Sequence, residues 1–192
     1  MMDSNIFSAL VGAGISLVSI LSTYGTIRLT AKNDRGSHIS KTRFDKEFVI
    51  YQELSEKNLS AVYAAGQTVK IIRGLYNNDL SKIDEHANNL CSSINDADFS
   101  NKKYAPFISK DIYENYKVLI KKISEINSFF SFWHLTFNKE NKGSFKFKRG
   151  GESYTYDQVK NMIEELQKEV SSLSDEILDQ VRNYLQKLDA IS

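Results

Sequence analysis

The chain has 192 residues, of which 41% are hydrophobic and 26% charged, with a formal net charge of +1. That balance suits one folded domain and excludes a disordered chain. One proline and nine glycines are too few for a sandwich or barrel that turns every ten residues or so, and favour long helices. The single cysteine, Cys91, excludes an intramolecular disulfide framework and a multi-thiolate zinc site.

Mean hydropathy is −0.39, but the apolar residues are unevenly spread. Residues 4–27 carry no charge. Taken as a helix, the run 5–27 would span about 34 Å, a little more than a bilayer's hydrocarbon core. Asp3 precedes it, whereas Arg28, Lys32, Arg35, Lys41, Arg43 and Lys46 follow. The positive-inside rule therefore predicts a single-pass protein of a bacterial inner membrane, N-terminus outside and C-terminal body cytoplasmic. A secretory signal peptide is the rival reading. Asp3 in place of a basic n-region, and the lack of a clean cleavage site, weigh against it.

Within this run Gly12, Ser16, Ser19, Thr23 and Thr26 recur at helical spacing and form one narrow stripe. Small residues let transmembrane backbones approach closely, and hydroxyls hydrogen-bond across the contact. The stripe is either a helix–helix seam or the lining of a pore. Both predict a homo-oligomer, with a tetramer as the working guess, because one helix cannot enclose a pore.

Residues 29–40, with Gly36 and Ser37, read as a juxtamembrane linker or a helix continuation with a weak point, and 41–192 as a cytoplasmic helical bundle. Phe44, Phe48, Tyr51, Ser55, Val62, Ala65, Val69, Ile72 and Tyr76 mark a first long amphipathic helix. Asn77, Asn78 and Asp79 break it before a shorter stripe of Leu80, Ile83, Ala87, Leu90 and Ile94. The segment 96–107, which holds Pro106, reads as a loop. A third helix starts near Ser109 or Asp111, with Asp111 and Glu114 resembling a capping box. Its heptad stripe is Ile112, Tyr116, Leu119, Ile123, Ile126, Phe130, Trp133 and Phe137. The last helix follows Thr155, with Gln158 in capping-box position, and repeats Val159, Ile163, Leu166, Val170, Leu173, Ile177, Val181, Tyr184, Leu188 and Ile191. Heptads this long predict an elongated all-α bundle.

Between the third and fourth helices, Phe145, Phe147, Tyr154 and Tyr156 alternate with polar residues around Gly150 and Gly151, which predicts a β-hairpin at 143–156. Residues 139–149 carry five Lys and Arg against one Glu, whereas 152–192 carry four against nine acids. A basic hairpin thus faces an acidic final helix. Phe145, Lys146, Phe147, Lys148 and Arg149 interleave aromatics with cations and are the candidate ligand-binding residues, for a single-stranded oligonucleotide or a nucleotide. The structural alternatives are a hairpin pinned to the bundle by its aromatic side, a subunit contact with the acidic helix, or contact with anionic lipid.

No catalytic constellation emerges. His38, His86 and His134 are scattered and lack metal-ligand spacing. The run Asp84, Glu85, His86 reads as a solvated polar face, His134 as a core-edge residue, and Cys91 as buried filler. The expectation is a non-enzyme needing no metal or cofactor. Its partners would be the lipid bilayer, other copies of itself, a nucleotide-type ligand and a cytoplasmic partner protein.

The stretch KTRFDKEFVIYQELSEK, residues 41–57, resembles the opening of small bacterial membrane proteins in which one N-terminal transmembrane helix precedes a similar helix. Their architecture is similar to that of membrane effectors of bacterial anti-phage defence, the Hailong type among them. That resemblance implies an oligomeric channel whose gating responds to a DNA oligomer, and no site residue is carried over from it. Two functional classes follow. One is a homo-oligomeric effector, a gated ion channel or membrane-disrupting protein under ligand control. The other is a non-conducting anchored scaffold that recruits a partner through its bundle.

Overall fold

A computed structural model describes residues 37–73, 80–137, 147–149 and 152–190. The chain is nearly all helical in these parts: α1 (Ser37–Ile72), α2 (Leu80–Tyr104), a 3-10 turn (Ala105–Phe107), α3 (Lys110–Phe137), β1 (Phe147–Arg149), β2 (Glu152–Tyr154) and α4 (Tyr156–Ala190). The helices run up and down. Sequence neighbours pack side by side, α4 closes against α1, and α1 also touches α3 across the diagonal. No helix among the described residues is long and apolar enough to cross a membrane. The run 5–27 lies outside them, as does the break at 77–79.

Helix α1 begins at Ser37, so the last four residues of the expected linker are helical. Its buried seam is Phe44, Glu47, Tyr51, Leu54, Asn58, Ala61, Ala65, Thr68 and Ile72, alternating three and four residues throughout. That is a complete heptad record, with three polar members that an apolar count passes over. Helix α3 buries its expected stripe from Ile112 to Trp133, widened by Ile120 and Phe129. In α4 Val159, Ile163, Val170, Ile177 and Val181 of the expected stripe are buried, and Ser174 and Leu185 join them. Leu166, Leu173 and Leu188 of the expected heptads sit half-buried beside them.

The segment 96–107 is a correction. Helix α2 runs on through it to Tyr104, and only Ala105–Phe107 leaves the α-helix. Proline disfavours helical backbone at the residue before it, not ten residues earlier. The continuing seam of Ala97, Ser100 and Asn101 is buried but small or polar, so it shows no apolar period. After the 3-10 turn Ile108 is extended, with φ −118° and ψ 160°. Ser109 then caps α3: its Oγ accepts from the Ile112 amide at 3.3 Å. The cap is therefore Ser109, and Asp111 stands inside the first turn. At α4 the expected capping box is complete. The Thr155 amide donates to Gln158 Oε1 at 2.7 Å, and the Gln158 amide donates to Thr155 Oγ1 at 3.3 Å.

The α2–α3 turn sits level with Tyr51, whose hydroxyl accepts from the Ser109 amide at 3.2 Å. Helix α1 starts fourteen residues before Tyr51, so it projects about 20 Å beyond that turn. Helix α4 accompanies it there.

Candidate functional site

The expected transmembrane residues Gly12, Ser16, Ser19, Thr23 and Thr26 lie outside the described residues, as do Phe145 and Lys146. Phe147, Lys148 and Arg149 form β1, which pairs antiparallel with β2 in the register Phe147 with Tyr154, Lys148 with Ser153 and Arg149 with Glu152. Tyr154 packs partly buried against the bundle core, and its hydroxyl donates to Glu152. The hairpin is thereby pinned to the helices, which an isolated hairpin in water would require.

Sequence reasoning missed the polar side chains of the α1 seam. Each meets a different helix or a different level of the bundle. Nearest the projecting end, the Glu47 carboxylate accepts from Arg43 Nε at 2.7 Å and from the Tyr184 hydroxyl of α4 at 2.8 Å. Tyr184 packs on Tyr51 with ring centroids 5.3 Å apart. Burial raises the pKa of Tyr184, and the carboxylate beside it raises it further. The network joins α1, α4 and, through Tyr51, the start of α3.

Three turns further on, Asn58 and Asn101 form a reciprocal amide pair, 2.9 Å in one direction and 3.2 Å in the other. Both are almost fully buried, and Asn58 Nδ2 also donates to the Leu54 carbonyl. Another three turns on, Thr68 Oγ1 lies 2.9 Å from His86 Nε2 and 3.3 Å from the Ala64 carbonyl. If Nε2 carries the proton, His86 donates to Thr68 and Thr68 donates to Ala64, so both contacts are satisfied.

His86 is a second correction: it is buried at 8% exposure, not part of a solvated face. Its ring meets Phe130 edge-on at 5.2 Å, and desolvation pushes its pKa down to about 4. Asp84 and Glu85 are exposed as expected. His134 is half-buried at the core edge, with Nε2 3.1 Å from Asp84 Oδ1. Cys91 is exposed rather than buried, with Asn95 Nδ2 at 3.8 Å.

Across α1 and α3, burial pushes the Tyr116 phenol up to about 12. The Ser55 hydroxyl beside it offsets part of that rise. The two oxygens do not reach hydrogen-bond geometry, and neither has another partner among the described residues.

Two further features lie outside the seam. A groove of about 620 Å³ opens between α2 and α3. Ile94 and Ile120 form its floor; Lys102, Lys117 and Lys121 stand at its rim. Asp98 pairs with Lys102 and Glu114 with Lys117. The acidic α4 is tied to its neighbours by Glu164 with Arg73, just past the end of α1, and by Glu169 with Lys122 of α3. Among the described residues no three His, Cys, Asp or Glu side chains gather where a metal ion could be held.

The chain matches no family model, no curated protein and no solved structure.

Proposed function

We propose that this protein is a non-enzymatic, homo-oligomeric membrane effector. The run 5–27 crosses a bacterial inner membrane, and the helical body on the cytoplasmic side controls ion flow or membrane disruption in response to a ligand. The observation that supports this reading best is α1. It is one unbroken helix of 36 residues that starts only nine residues after the uncharged run. Through its seam it is tied to both α2 and α4. A movement of α2 or α4 would therefore be passed to α1, whose first residue lies close in sequence to the membrane segment. The basic hairpin at the opposite end, with Phe145, Lys146, Phe147, Lys148 and Arg149, is the proposed ligand contact. Anti-phage defence is the role that the resemblance of residues 41–57 suggests.

A second reading, a non-conducting scaffold, is favoured by the α2–α3 groove with its apolar floor and lysine rim, a shape that could seat a helix of a cytoplasmic partner. Ion flux through proteoliposomes holding the full chain separates the two. Flux that changes when short single-stranded oligonucleotides or nucleotides are added supports the effector. Membrane insertion with no flux under any of these conditions supports the scaffold.

A further inference from the structure

We propose that the buried Asn58–Asn101 and Thr68–His86 pairs form a register lock, which fixes how far α1 is inserted along α2. The inference deepens the effector reading, because α1 is the helix that reading relies on. It begins from the face itself. Between the two polar pairs α1 buries Ala61, Val62, Ala64 and Ala65, and α2 buries Leu90, Ile94, Ala97 and Ser100. Ser60 and Ser93 meet with their hydroxyls 3.5 Å apart. Short side chains recur along α1 at Ala61, Ala64, Ala65 and Thr68, so a slide of one turn sets the larger α2 side chains against short ones again, and apolar packing alone distinguishes the registers weakly. The α3 seam is larger throughout: Ile123, Ile126, Phe130 and Trp133 are all buried.

Polar pairs supply what the small face lacks. Moving α1 by one turn would set Leu54 or Val62 opposite Asn101, and Ala64 or Ile72 opposite His86. Each such step leaves a buried amide or imidazole without its partner, which costs far more than the slide across the short α1 side chains. A buried polar pair in an apolar seam adds little net stability but penalises every other register. Surface ion pairs on the same face, such as Lys57 with Asp96, are exposed and too weak for the task. The lock keeps the end of α1 nearest the membrane segment at one height relative to the body.

Disulfide trapping in the full chain, with Cys91→Ser as background, tests this. Ser60→Cys with Ser93→Cys reports the observed register. Ser60→Cys with Asn89→Cys reports a register one turn away, because Asn89 lies about 5.4 Å further along α2 and out of disulfide reach. With the polar pairs intact only the first combination should close. Replacing the pairs by apolar residues (Asn58→Leu, Asn101→Leu, Thr68→Val and His86→Leu together) should leave the melting temperature equal or higher. It should also raise closure of the second combination at least about tenfold.

The proposal is overturned if the second combination closes readily with the pairs intact, or stays open in the apolar variant. If the fourfold variant does not fold, Asn58→Leu with Asn101→Leu alone decides by the same two readouts. A melting point well below the parent's in that double variant makes the pair an ordinary stabilising contact and also overturns the lock. Ion flux, measured in the same proteoliposomes, should be lost in the apolar variant. Flux equal to the parent's would show that the lock has no part in gating. A parent chain that conducts nothing fails the effector reading, while the trapping result still decides the lock.

Discussion

His86 is the residue whose burial has the clearest consequence in solution. Its pKa falls from about 6.5 in the unfolded chain to about 4 in the fold, so folding favours the neutral ring. The stability this contributes is complete above pH 6.5 and is lost as pH falls toward 4, because the unfolded chain then binds the extra proton. The span amounts to about 3 kcal/mol. Urea unfolding between pH 7 and 4 should therefore show the parent losing about that much more stability than His86→Leu, and parallel pH profiles would contradict it. Tyr184 carries a second prediction. Tyr184→Phe leaves a buried Glu47 oxygen with one donor fewer, and should cost about 1.5–3 kcal/mol, as hydrogen bonds to charged groups do. An unchanged midpoint would mean that water replaces the phenol without loss. Trp133, the single tryptophan, is buried beside Phe130, and its emission follows both experiments.

Individual helices owe their ends to local chemistry and their faces to their neighbours. The capping box of Thr155 and Gln158 satisfies two amides at the start of α4. Thr155→Ala should then destabilise the protein by about 1 kcal/mol, read as a lower melting temperature, with Thr155→Ser nearly neutral. A serine variant as damaging as alanine would show that the methyl group, not the hydroxyl, matters there. Helix α2 shows the other influence. Its seam between Ala97 and Asn101 is small and polar, yet the helix holds to Tyr104 because Glu53 of α1 binds both Lys103 and Tyr104. The Tyr104 hydrogen bond, followed by Lys103, lowers the pKa of Glu53, which marks a carboxylate engaged at the helix end.

At the scale of the whole molecule, the proposed membrane role makes its own demands. In the full chain, Gly12→Leu with Ser16→Leu should loosen the oligomer, because added bulk at a small-residue seam blocks close backbone approach. Ser19→Leu with Thr23→Leu should abolish flux while insertion persists, if those hydroxyls line water. Crosslinking patterns and flux rates unchanged in both variants would remove the stripe from the mechanism. Protease added outside intact cells should leave residues 37–192 whole; digestion there would reverse the proposed orientation.

Helix number, the hairpin and the start of α4 were legible in the sequence because each depends on neighbours along the chain. Apolar spacing from Ile112 to Trp133 needs only helical geometry to become a face, and Thr155 reaches Gln158 within one turn. What stands at the α1 seam was not legible. Whether Asn58, Glu47 or Thr68 is buried depends on Asn101 43 residues away, on Tyr184 137 away and on His86 18 away. Read alone, each polar residue looks solvated, and Cys91 on a helix of weak apolar period looks buried. Burying a polar group is favourable only when a partner arrives with it, and only the tertiary arrangement of the helices brings those partners together.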